Sequence, residues 1–175
     1  MSRTVIRNGM FETNSSSVHS ICISKKPVEN VKGKKLAFYL GEYGWENSTV
    51  DTPDYLYTAI MCQNNYKELL DKLKSILDKY EIDYTSQTKD KSKDYGIDHR
   101  YGINEFVNTV LDNENLLLRC LFADDSVVYT GNDNCYIEDY LDTCFISEKY
   151  YWSDDGKKTN PYHDSENFDY FVKEN

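Results

Sequence analysis

Ser15, Ser16, Ser17 and His19 are the residues whose types and spacing most directly invite chemistry, since a hydroxyl two to four positions from an imidazole has the makings of a nucleophile and its base. Such pairs are assembled by a fold rather than by sequence neighbours, and they need a third group to orient the base. No Gly-x-Ser-x-Gly elbow accompanies them. The backbone amides of the block could instead cradle an anion, yet a Gly-rich phosphate loop with its Lys-Ser/Thr pair is missing. A structural turn is therefore the first reading. Thr13 through Ser17 are five consecutive side chains able to hydrogen-bond their own backbone, a composition that favours caps and turns. A small enzyme acting on a nucleotide or a host protein through this loop and His19 stands as the runner-up.

Other reactive types are scattered. Asp124-Asp125, Glu138-Asp139 and Asp154-Asp155 are carboxylate pairs of a kind that sometimes holds divalent metals. Neighbouring carboxylates on a strand point to opposite faces, however, and a solvated acidic surface explains them more simply. His99-Arg100 and His163 read as exposed. The five cysteines are odd in number and contain no Cys-x-x-Cys, so free thiols are expected, with no zinc site and no cofactor. No leader or membrane-length apolar run is seen, which makes a soluble, cytoplasmic chain the expectation.

The segment Arg7-Asn-Gly-Met-Phe-Glu-Thr-Asn-Ser-Ser-Ser-Val-His-Ser20 resembles the opening of a group of small proteins from bacteriophages and other mobile elements of Gram-positive gut bacteria, which begin Arg-x-Gly-x-Phe-Glu-Thr-Asn-Ser-Ser-Ser-x-His-Ser. The likeness covers roughly residues 3 to 24, with a weaker extension at Gly41-Glu-Tyr-Gly-Trp45 and Tyr55 to Ile60. Some small proteins of that setting are anti-defence factors, anti-CRISPR proteins among them. The resemblance implies such a neighbourhood and no particular activity.

The elements that must position these residues follow from periodicity and turn chemistry. Strands are expected at residues 3 to 6, 20 to 24 and 35 to 40. Thr52-Pro53-Asp54 reads as a helix start with Thr52 as its cap, the helix running to about Asn64. Leu69, Leu70, Leu73, Ile76, Leu77 and Tyr80 then recur at spacings of three and four and predict a helix over Tyr66 to Tyr80. Tyr84 to Arg100 is polar enough for a mobile loop, centred on residues 85 to 100. Two short helices over Ile103 to Leu111 and Leu116 to Phe122 precede a buried strand at Val127-Val128-Tyr129, ended by Gly131. Gly156 could turn a hairpin after Phe145 to Trp152. Separate runs of strands and helices predict one α+β domain over residues 1–175, an antiparallel sheet with strands from both ends of the chain covered by central helices.

Charge supplies the functional expectation. Residues 1 to 123 hold 17 acidic and 16 basic side chains, while residues 124 to 175 hold 13 acidic residues and 4 lysines, so −9 of the net −10 lies in the last segment. A chain so charged does not itself grip a phosphate backbone, and no direct nucleic acid or membrane contact is expected. It suits a basic protein partner. Asp124, Asp125, Glu138, Asp139 and Asp142 with Asp154, Asp155, Asp164 and Glu166 would imitate phosphates, and Tyr150, Tyr151, Trp152 and Tyr162 would anchor the contact. Together with the resemblance, this predicts an inhibitor of a host defence nuclease of the Cas9 type, bound at its basic nucleic-acid groove.

Overall fold

The computed structural model describes residues 17–44, 48–89, 95–98, 103–132 and 166–173. In chain order they form β1 (Ser17–Ser24), β2 (Lys35–Phe38), β3 (Glu42–Tyr43), β4 (Ser48–Val50), α1 (Thr52–Met61), α2 (Tyr66–Lys79), β5 (Asp83–Ser86), β6 (Gly96–Ile97), α3 (Ile103–Asp112), α4 (Glu114–Phe122), β7 (Val127–Asn132) and β8 (Phe168–Lys173). The main sheet has the order β4-β7-β1-β8 and every pairing in it is antiparallel. The fold is therefore α+β, with strands from the N-terminal and C-terminal regions joined in one sheet and helices packed on it, as expected.

β1 is buried throughout its described side chains, His19 to Ser24, on both faces. One face carries His19, Ile21 and Ile23 towards the helices, with Val128 and Phe171 in register beside Ile21. The other carries Ser20, Cys22 and Ser24 beside Tyr129 and Phe168, which are also buried. Antiparallel sheets often leave one face in water; here the small polar side chains of β1 occupy a dry face. On the helical side Leu69, Leu73, Ile76 and Leu77 of α2 are buried as their spacing predicts, and α3 and α4 add Phe106, Val110, Leu117 and Leu121.

Three expectations are corrected. The third strand does not join the antiparallel sheet: β2 pairs in parallel with β5, and β3 in parallel with β6. The second partner in each ladder comes from the segment read as a mobile loop, so Tyr84 to Ser86 and Gly96-Ile97 are strand. Ladder bonds are made by backbone, and β5 leaves Asp83, Thr85 and Ser86 exposed, so its polar composition does not oppose the pairing. Finally, Asp51 rather than Thr52 stands at the N-cap of α1, and that helix ends at Met61. Thr52 is buried and its hydroxyl donates to the Cys120 carbonyl oxygen at 2.5 Å, tying α1 to α4. At Gly41, where β2 leads into β3, the Tyr43 ring lies where a Cβ would project, so a larger residue there must displace that side chain. The expected strand at residues 3 to 6, the Gly156 hairpin, His99-Arg100 and His163 lie outside the described residues.

Candidate functional site

Two carboxylate-bearing turns meet at one end of the main sheet. The first, Ala123 to Ser126, links α4 to β7 and is closed by Ser126 N–H donating to the Ala123 carbonyl at 2.9 Å. The second, Glu166-Asn167, leads into β8 and is fastened by Lys25 N–H donating to the Asn167 carbonyl at 2.7 Å. Val127 sits opposite Cys22 and Phe168 opposite Ser24, so both turns flank the C-terminal end of β1. Asp124, Asp125 and Glu166, remote in sequence, are thereby placed at the same end of the sheet, on either side of β1.

The local charges are mixed. Asp125 pairs with Lys26 at 2.5 Å. Burial pushes its carboxyl up, but hydrogen bonds from Lys26, Ser24 and its own backbone outweigh this and hold it below the usual range, while the same hydrogen bond raises the Lys26 ammonium. Asp169 faces Arg119 at 2.8 Å and Lys25 at 3.6 Å. Asp124 and Glu166 are exposed, and neither is in an ion pair among the described residues. Of the other acidic candidates, Glu138, Asp139, Asp142, Asp154, Asp155 and Asp164 lie outside the described residues, as do Tyr150, Tyr151, Trp152 and Tyr162.

Behind this end of the sheet stands a framework that composition did not single out. Arg119 projects from α4, donating from Nη1 to the Ser24 carbonyl and from Nε to Asn115 Oδ1, both at 3.0 Å, while Nη2 meets Asp169. Ser126 Oγ accepts from Ser24 N–H at 3.0 Å and donates to the Arg119 carbonyl at 3.2 Å. The signal was present in Leu116-Leu-Leu-Arg-Cys-Leu-Phe122, where a lone guanidinium interrupts an apolar helix and must find partners.

His19 belongs to the core. It is 0% exposed, and its Nδ1 lies 2.6 Å from Tyr55 Oη, one member of an aromatic group completed by Tyr43 and Phe106. Burial drives the Tyr55 hydroxyl well above its ordinary range and Tyr43 up to about 12. An imidazole so enclosed fastens β1 to α1. Asn14, Ser15 and Ser16 are outside the described residues, and Ser17 is described only as the first residue of β1. Burial likewise pushes the thiols of Cys22 and Cys120 up to about 12, far from the nucleophilic range, whereas Cys62 is only half-buried.

Among the described residues no group of three or more His, Cys, Asp or Glu side chains is placed to hold a metal ion, and no helix is long and apolar enough to cross a membrane. Comparison with protein-family models, with curated proteins and with solved structures found no match to the chain.

Proposed function

We propose that the chain is an inhibitory binding protein of a bacteriophage or mobile element, acting in the cytoplasm of a bacterial host, and that it occupies the basic nucleic-acid site of a defence nuclease of the Cas9 type. The observation that carries the reading is the placement of Asp124 and Glu166, both exposed and outside any ion pair among the described residues, at the same end of the sheet. They stand near the two limits of the segment that holds −9 of the net −10. Nucleases of that type keep their guide-target duplex in a positively charged channel. An object with its charge so concentrated is steered into such a channel, and the carboxylates set on-rate and salt dependence while aromatic anchors hold the complex. Asp125 and Asp169 already pair with Lys26 and with Arg119 and Lys25, so in this reading they contribute less to the contact than the unpaired carboxylates.

The test uses the purified chain and a Cas9-type nuclease loaded with its guide. Reversing Asp124 and Glu166 together to Lys is expected to slow association about tenfold or more at low salt and to restore target cleavage, with an unchanged melting temperature. The companion reversal of Asp154 and Asp155 is expected to act in the same direction. Wild-type association that is equally fast at low and high salt, or inhibition that survives both double reversals, would sink the electrostatic mechanism.

A further inference from the structure

Beside the acidic end of the sheet two shallow cavities, of about 310 and 370 Å³, meet at Phe122. The first lies between the Lys26 to Glu29 segment and the Phe122 to Asp125 corner, and the second between that corner and the start of α1 at Asp51 to Pro53. Lys34, Phe122, Ala123 and Asp124 line both, so the two form one groove. Its aromatic surface is the half-buried Phe122 ring at the end of α4. Glu29, Asp51 and Asp124 are exposed along it, and among the described residues none of the three is in an ion pair. Asp125 and Lys26 neutralise one another. The remaining cation of the groove is Lys34, an exposed side chain whose Nζ stands 5.1 Å from the centroid of the Phe122 ring.

That contact shows which chemistry the groove accepts. The ring face attracts a cation, and the side chain on it sits on a flexible stem with no carboxylate partner among the described residues, so it is easily displaced. We propose that the groove is the socket for an arginine side chain of a partner protein, whose guanidinium takes the place of Lys34 over Phe122 and pairs with Asp124 and Glu29. A planar guanidinium stacks on an aromatic face and bonds carboxylates in fork geometry, and it is less strongly hydrated than an ammonium. Arginine is also among the residues that dominate binding energy at interfaces. Asp51 contributes less, because the positive end of the α1 dipole offsets its charge. An anionic ligand would meet three carboxylates and is disfavoured. The inference rests on the reading of the chain as a binder of a basic protein, and it names the side chain recognised.

The probe is the peptide acetyl-Gly-Arg-Gly-amide, with lysine and citrulline counterparts, titrated at low salt into the isotope-labelled full chain and followed by amide chemical shifts. Saturable shifts at Val28, Ala123 and Asp124 are expected with arginine, weaker ones with lysine and none with citrulline. Phe122→Leu is expected to weaken the arginine peptide about two- to fivefold, and Lys34→Met to tighten it, because the internal competitor is gone. Shifts spread evenly over the acidic surface, or an arginine affinity unchanged in both variants, would overturn the socket. If the groove ignores the peptide while the nuclease still binds in a salt-sensitive way, the socket is wrong and the inhibitory reading stands. If the peptide seats at Phe122 but no nuclease is bound, the socket holds and that reading falls.

Discussion

Arg119 reaches from α4 to two strands, bonding the Ser24 carbonyl of β1 and the Asp169 carboxylate of β8, with its side chain only 12% exposed. Removing it leaves Asp169 without its nearest cation and the Ser24 carbonyl without this donor, so Arg119→Met is expected to cost about 2–4 kcal/mol, read from urea unfolding midpoints. A change below 0.5 kcal/mol would show that the network is replaceable by water. The buried thiols make a second, pH-dependent demand. Cys22 and Cys120 rise from an ordinary 9.0 to about 12. Below pH 9 both the native and the unfolded chain keep them protonated, so their contribution is fully present. Between pH 9 and about 12 only the unfolded chain ionises, and stability is expected to fall by roughly 1.4 kcal/mol per pH unit for each thiol. Urea midpoints measured from pH 8 to 10.5 should decline steeply in the wild type and less so in a Cys22→Ala, Cys120→Ala double variant; parallel slopes would exclude the thiols as the cause.

At the scale of elements, the junction between the two parallel ladders depends on Gln87. Its backbone N–H donates to the Phe38 carbonyl at 2.9 Å, which continues the β2–β5 ladder by one bond. Its side-chain Oε1 accepts from Leu40 N–H at 3.1 Å, standing in for the strand backbone that has departed, and Nε2 donates to Tyr95 Oη at 2.9 Å, where the chain returns towards β6. The ladder then resumes as Gly96 N–H donates to the Gly41 carbonyl at 3.0 Å. Gln87→Leu is expected to cost about 1–3 kcal/mol by stranding the Leu40 amide, and to raise hydrogen exchange at Leu40 more than at Phe38. Equal protection of Leu40 in both proteins would refute that role. This junction marks the limit of what was legible in the sequence. The period of Leu69 to Leu77, the apolar run of Ile21 to Ile23 and the paired helices after Ile103 each carry their own burial pattern and were readable. β5 carries no such pattern, because an exposed strand held by backbone bonds looks like any polar run. The same reason hid half of the candidate site: Asp124, Asp125 and Glu166 were readable as acidic, but their placement at the same end of the sheet follows from the register of β7 and β8 on β1.

For the whole molecule, the distribution of charge and the order of strands act together. Opposite charges are used up near the sheet, where Lys25, Lys26 and Arg119 meet Asp125 and Asp169. Asp125 and Asp169 both belong to the segment that holds −9 of the net −10, so its remaining carboxylates are the ones left to set the field. The order β4-β7-β1-β8 places the earliest described strand between two of the latest. A ribosome adding roughly 5–20 residues per second needs roughly 8–30 s to go from Ser24 to Lys173. For most of that interval Ile21-Cys22-Ile23 lacks its β8 neighbour. Nascent chains thus carry an apolar strand with one side open until synthesis is nearly complete, and chaperones that shield such segments are expected to raise the protein's yield.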